Sequence, residues 1–333
     1  MSFFRKDPLQ IITFDAYGTN THFYLRGRAI EDESINLEDQ GWFSLVFNMW
    51  KRMETDEIKN AELNISLPNG VILKTKTDNY GYFKINTVLE NLGSLINEEG
   101  WVNFEVSYNE KNSKQRIQLE NRFPGKLLIP SDSADYGVVS DIDDTILHTG
   151  VVSTLKWKVL INTLFKTAKK RLPLKGASEL YNQLHRGKSG ENANPIFYVS
   201  HSPWNLYRYL ELFLRQNDFP KGPILLRTFQ SFFKRKSAGD KPQKQLEILN
   251  ILETYPRLPF ILIGDSGEHD ADIYKEIAEL YPDRISAIYL RSVNHRKRMI
   301  RVKSLFENYT TTPVLFVENS EQAVRHAKQM GFI

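Results

Sequence analysis

The sequence predicts two domains of different class: an all-β sandwich over residues 1–130, and over residues 131–333 an α/β domain whose parallel sheet carries helices on both faces. Three observations predict it. The first third is a series of short segments, several alternating apolar with polar residues, with turn signals between them. A linker of turn residues follows, Pro130-Ser131-Asp132-Ser133-Ala134-Asp135-Tyr136. Beyond it the rhythm changes to an apolar strand followed by a helix, repeated to the end of the chain.

Taken in order, residues 22–28, 43–48, 61–66, 71–76, 82–85 and 102–108 read as strands. Pro68-Asn69-Gly70 and Asp78-Asn79-Tyr80-Gly81 mark turns between them. The stretch Thr77-Asp78-Asn79-Tyr80-Gly81-Tyr82-Phe83 resembles a hairpin of transthyretin-like and carboxypeptidase-regulatory-like sandwiches. In the second domain strands are predicted at 136–140, 196–200, 224–228, 260–264, 285–291 and 314–317. Helices are predicted at 155–168, 176–185, 203–215, 243–255, 271–281 and 320–330.

Composition sets outer limits. With 333 residues, 41% hydrophobic and 25% charged, the chain has the make-up of globular protein with a sizeable core. It has no cysteine, which excludes disulfides, thiolate zinc sites and cysteine nucleophiles and fits a reducing compartment. No apolar run is long enough to span a bilayer, and residues 1–24 lack a signal-type apolar region, so a cytoplasmic location is expected. The charge is uneven: residues 1–136 carry a net −5 and residues 137–333 a net +9, within a total of +4. The basic half points to an anionic partner such as phosphate, a lipid headgroup or nucleic acid; a solvated surface is the alternative.

The chemistry concentrates in Val138-Val139-Ser140-Asp141-Ile142-Asp143-Asp144-Thr145-Ile146. Three carboxylates crowd the end of an apolar strand, where their mutual repulsion calls for a cation. Hard oxygen donors suit Mg²⁺. A helix cap or a calcium turn is the alternative, but the calcium-loop pattern of alternating acids with a later glutamate is not present. In open parallel sheets ligands bind beyond the carboxyl ends of the strands. Two further strands end in suitable groups: 196–199 runs into Ser200, and 260–264 runs into Asp265-Ser266-Gly267-Glu268-His269-Asp270, while Lys244 opens the helix between them.

Together these segments resemble the haloacid dehalogenase superfamily. Asp141, Asp143 and Thr145 meet its first motif, Ser200 its second, a lysine its third, and Gly264-Asp265 with a further acid, Asp270, its fourth. The likeness narrows to the App1-type phosphatidate phosphatases through Ser140-Asp141-Ile142-Asp143-Asp144-Thr145, Tyr198-Val199-Ser200-His201-Ser202-Pro203-Trp204-Asn205-Leu206-Tyr207 and Ile263-Gly264-Asp265-Ser266-Gly267-Glu268. It covers most of residues 136–333. His201 stands where that family has Asn. Lys244, placed in register by Ile251-Leu252 and Tyr255-Pro256, is preferred to its rival Lys241.

The resemblance implies a HAD-like Rossmannoid fold and a Mg²⁺-dependent phosphatase. Asp141 is the expected nucleophile and Asp143 the acid and base. Ser200 and Lys244 neutralise the phosphoryl group, with Thr145 and His201 also on the substrate. Asp141, Asp143, Asp265 and Asp270 are the expected metal set, with Glu268 competing for the place of Asp270. Asp144 either contacts metal-bound water or caps the following turn. The implied substrate is a phosphomonoester, phosphatidate at an anionic membrane surface; nucleic acid is not the expected partner. The basic, aromatic stretch 151–172 and the loop Phe232-Phe233-Lys234-Arg235-Lys236 are candidate membrane contacts, making the protein peripheral. For 151–172 a helix packed on the sheet is the stronger alternative. Two other functions stay open: a soluble phosphatase for a small metabolite or a nucleic-acid end, and a phosphate- or protein-binding module without catalysis. The first domain shows no catalytic constellation, and its partner is not specified.

Overall fold

The computed structural model describes residues 7–31, 57–109, 115–142, 176–228, 241–267, 269–293 and 295–333. The predicted strand 43–48, the predicted helix 155–168, the loop 232–236, and Asp143, Asp144, Thr145 and Glu268 lie outside them. The described chain divides into two units, Met1–Ile129 and Pro130–Ile333.

The first unit is all β: β1 (Leu9–Thr13), β2 (Ala16–Thr19), β3 (His22–Glu31), β4 (Glu62–Ser66), β5 (Ile72–Lys76), β6 (Tyr82–Val88), β7 (Trp101–Tyr108) and β8 (Phe123–Leu128). They hydrogen-bond in the order β1-β3-β2-β8-β7-β4-β5, with β6 on β3. Alternation dictates the burial. In β4, Leu63 and Ile65 point inward while Glu62 is exposed, and in β7, Val102, Phe104, Val106 and Tyr108 form the inner row. The sheet curls round one core, so that Phe23 of β3 meets Phe104 of β7 with ring centroids 5.5 Å apart. Thr75 Oγ1 of β5 donates to Lys84 O of β6 at 3.4 Å, bringing the two edges together. The turn read from Asp78-Asn79-Tyr80-Gly81 joins them: Asp78 Oδ1 accepts from Tyr80 N and Tyr82 N at 2.8 and 2.9 Å. Gly81 there has φ +75°, and a Cβ on it would meet Ala29 O at 2.4 Å.

The second unit alternates strand and helix: β9 (Gly137–Asp141), α1 (Ala177–Arg186), β10 (Ile196–Pro203), α2 (Tyr207–Gln216), β11 (Ile224–Arg227), α3 (Gln243–Thr254), β12 (Phe260–Asp265), α4 (Asp270–Leu280), β13 (Ile285–Arg291), α5 (Arg296–Leu305), β14 (Val314–Val317) and α6 (Ser320–Gln329). Every pairing is parallel, and the strand order is β11-β10-β9-β12-β13-β14. Counted along the chain, this is the order of a doubly wound sheet, reversing direction between β9 and β12. These two central strands are buried throughout, which is why they read as near-continuous apolar runs. Helices line both faces: α1 packs with α6, and α4 with both α3 and α5. Among the described residues no helix is long and apolar enough to cross a membrane.

His326 of α6 lies beside Tyr289 of β13, with Nδ1 3.0 Å from the phenol oxygen. Burial pushes its imidazole below the ordinary value. A histidine whose folded pKa is depressed contributes stability that is present above its unfolded pKa, about 6.5, and lost as pH falls through the folded value. In thermal melts from about pH 8 to about pH 5 the wild type is expected to lose more Tm than His326→Gln. Equal slopes for the two proteins contradict this.

Candidate active site

The strand order reverses between β9 and β12, the place where doubly wound sheets bind ligands, and the acidic residues of both strands stand at their carboxyl ends. Asp141 is the last residue of β9 and aligns with Val199 of β10, one residue before Ser200. Ser140 aligns with Ile263 of β12, which places Gly264 beside Asp141. Strand alternation sends Ser140 and Asp141 to opposite faces. Ser140 Oγ meets the Tyr181 hydroxyl of α1 at 2.5 Å. The Asp141 carboxylate turns to α3, where Lys244 Nζ donates to its Oδ1 at 2.6 Å.

Lys244 also donates to Asp270 Oδ1, at 2.5 Å, from the first turn of α4. Asp265 ends β12; its Oδ1 accepts from Gly267 N, and its own N–H donates to Asp270 Oδ2 at 3.4 Å. Asp141, Asp265 and Asp270 each offer a carboxylate oxygen within 4.8 Å of the others. All three side chains are fully buried, and Lys244 is 2% exposed. Among the described residues one buried ammonium bonds two of three buried carboxylates, a charge imbalance that a bound cation would offset. The donor set is all oxygen and fits a hard divalent ion such as Mg²⁺.

Two tyrosines brace the cluster. Tyr274 Oη donates to Ile263 O at 3.0 Å, and burial drives its pKa well above the ordinary phenol value. Burial also raises the Tyr181 pKa, with the Ser140 hydrogen bond acting the other way. Both phenols therefore stay neutral. Gly264 makes room for Asp270 and Tyr274: a Cβ there would sit 2.6 Å from Asp270 Oδ2 and 2.8 Å from the Tyr274 ring. Gly264→Ala is expected to cost about 1–3 kcal/mol through overpacking. By displacing Asp270 it should lower turnover roughly tenfold to a hundredfold. Denaturant titration and steady-state rates check the two effects; wild-type values for both contradict the reading.

The structure thus brings together Asp141, Lys244, Asp265 and Asp270 from four separate elements. Ser200 is buried in β10 at the same edge, and its Oγ accepts from Ser202 N at 2.8 Å. His201 follows it, half-buried. Lys241 instead pairs with Glu276 at 3.2 Å on the surface. Sequence reasoning gave no role to Tyr181, Tyr274 or Asn205. Asn205 is 3% exposed, and among the described residues neither of its amide atoms has a hydrogen-bond partner. Its signal in the sequence is a polar residue between two apolar ones, Trp204 and Leu206.

Comparison with known proteins follows the same segments. Residues 136–292 match the family model described as "Phosphatidate phosphatase APP1, catalytic domain". The phosphatidate phosphatase APP1 of Saccharomyces cerevisiae is 32% identical over 216 residues, covering 65% of this chain and 34% of that protein. An uncharacterized protein of Schizosaccharomyces pombe is 26% identical over 304 residues, covering 87% of this chain and 45% of that protein. The chain thus spans a third to a half of the length of these relatives. Among solved structures, the flavohemoglobin of Malassezia yamatoensis aligns with 92% of this chain and 60% of its own at 9% identity, with a TM-score of 0.16 that carries no statement about fold. The segment from 136 to 292, which contains Asp141, Lys244, Asp265 and Asp270, is an App1-type catalytic domain.

Proposed function

We propose that the chain is a Mg²⁺-dependent phosphatase of the haloacid-dehalogenase type that converts phosphatidate to diacylglycerol and phosphate through an aspartyl-phosphate on Asp141. The observation that carries this reading is the placement of Asp141 at the end of β9, held by Lys244 and flanked by Asp265 and Asp270. A carboxylate and a phosphate dianion repel each other, so a nucleophilic aspartate needs nearby positive charge. Lys244 supplies one unit of it, and its second bond to Asp270 keeps the ammonium in place.

Asp141, Asp265 and Asp270 would hold the ion, with the Asp143 carbonyl as the family resemblance implies. When bound, Mg²⁺ supplies the Lewis-acid charge that neutralises the phosphoryl oxygens. With Oδ1 fixed on Lys244, Asp141 attacks phosphorus through Oδ2; a new O–P bond forms as the P–O bond to glycerol breaks. Asp143 gives its proton to the departing alkoxide. It then takes a proton from the water that attacks phosphorus and releases phosphate, which restores both aspartates. Ser200, Thr145 and His201 contact the phosphoryl group, and the enzyme meets its lipid as a peripheral protein on the cytoplasmic side.

The test is phosphate release from phosphatidate in detergent micelles and from a panel of soluble phosphomonoesters, each with Mg²⁺ and with chelator. The reading expects kcat/KM for phosphatidate at least about tenfold above any soluble ester, with loss of activity in chelator. Preference for a soluble ester overturns the substrate, and full activity in chelator overturns the metal.

A further inference from the structure

Helix α5 presents a charged surface that the catalytic reading does not use. It is ten residues long, Arg-Lys-Arg-Met-Ile-Arg-Val-Lys-Ser-Leu, with five basic residues and no acid. Val302 is buried and Met299 half-buried, which fixes the inner face. Arg296, Lys297, Ile300, Arg301 and Lys303 are exposed on the remainder. Arg301 pairs with Asp272 at 2.5 Å. Among the described residues no hydrogen bond or ion pair engages the side chains of Arg296, Lys297 or Lys303. Between them Ile300 is 60% exposed. Positions 296, 300 and 303 follow one another along a single helical row, so the apolar side chain stands within the cationic stripe.

The inner side of the same helix is tied to the acidic site. Arg298 donates to Gly267 O, in the loop that follows Asp265. Ser266 Oγ bonds Met299 Sδ at 2.9 Å, and the Arg301–Asp272 pair reaches the first turn of α4, two residues after Asp270. The helix starts just past β13, whose last residue, Arg291, aligns with Asp265. α5 therefore packs by its inner side on the elements that carry Asp265 and Asp270, and its exposed stripe faces outward.

We infer that α5 is a docking surface for an anionic lipid bilayer, with Arg296, Lys297 and Lys303 on the headgroups and Ile300 inserted among them. Charge complementarity selects an anionic occupant. Ile300 selects a bilayer over single-stranded nucleic acid, because base binding uses exposed aromatic rings and the exposed face of α5 has an aliphatic one. Docking in this way would hold the domain at the surface where a lipid substrate resides; that consequence rests on the phosphatidate reading, whereas binding itself does not.

The experiment is co-sedimentation of the full chain with phosphatidylcholine vesicles, with and without phosphatidylserine, an anionic lipid that is not a phosphomonoester. The wild type should bind only the anionic vesicles. The triple variant Arg296→Ala/Lys297→Ala/Lys303→Ala should lose at least about tenfold in affinity, and Ile300→Ser a smaller factor, with wild-type melting curves for both. Phosphatidate hydrolysis in vesicles should fall with binding, while hydrolysis in detergent micelles holds. A triple variant that binds anionic vesicles as the wild type does overturns the surface, as does one that loses binding to single-stranded RNA alone. Vesicle binding without any phosphatidate hydrolysis leaves the surface standing and removes the catalytic reading. Micellar hydrolysis with unaltered vesicle binding by the triple variant does the reverse.

Discussion

Asp141→Asn is expected to lower phosphate release by at least roughly a thousandfold, the scale of losing a nucleophile. The substitution keeps the shape of the side chain but removes the charge that attacks phosphorus. It also weakens the bond from Lys244, which is 2.6 Å from Asp141 Oδ1. The fold should survive, because Lys244 keeps its 2.5 Å pair with Asp270 and the buried acid count falls by one. A melting temperature near that of the wild type together with lost turnover is the expected pair of results. An Asp141→Asn protein that still releases phosphate at the wild-type rate means that another group attacks.

Lys244→Met is expected to damage both fold and activity. Lys244 reaches its partners from α3 with its side chain fully buried, and both carboxylates it serves are fully buried as well. Breaking a buried pair by removing one partner costs about 3–5 kcal/mol, because the remaining charges are stranded in low dielectric. Methionine fills most of the vacated volume, so the loss is electrostatic rather than a cavity effect. The companion Lys244→Met/Asp270→Asn should recover part of the stability, since one stranded charge is gone, and none of the turnover. Chemical denaturation of the two variants separates these contributions. Equal stability of wild type and Lys244→Met would mean that the ammonium is not the main counter-charge of the cluster.

Much of this arrangement is legible in the sequence. The sheet strands of the second unit stand where apolar runs occur, because fully buried parallel strands leave no room for alternation. The acids at the ends of 136–140 and 260–264 could be read as one site from the general rule for doubly wound sheets. The preference for Lys244 over Lys241 rests on its register with Ile251-Leu252 and Tyr255-Pro256. The two lysines lie three residues apart, and which one points inward depends on where the helix begins. Pro242 is the N-cap of α3, so Lys241 falls outside the helix and Lys244 at its second position faces the sheet.

Other elements carried weaker signals. β8 contains Pro124 and Gly125, both depleted in strands, and β2 is only four residues, Ala-Tyr-Gly-Thr. β10 continues through Ser200 to Pro203, and a short 3-10 turn at Trp204–Leu206 precedes α2; the predicted helix from 203 therefore begins at Tyr207. α5 escaped notice because a packed helix normally shows a wide apolar stripe, and here Met299, Val302 and Leu305 are its only apolar residues besides the exposed Ile300. The bracing by Tyr181 and Tyr274 depends on long-range approach, which no local pattern encodes.

The most direct measurement of the central claim is chemical trapping of the phosphorylated chain during turnover of phosphatidate. Acid quenching, reduction of any acyl phosphate with borohydride and peptide mass spectrometry locate the modified carboxylate. Conversion of Asp141 to homoserine is the predicted result. Reduction at a different residue, or an unmodified Asp141 peptide from protein in rapid turnover, would contradict it.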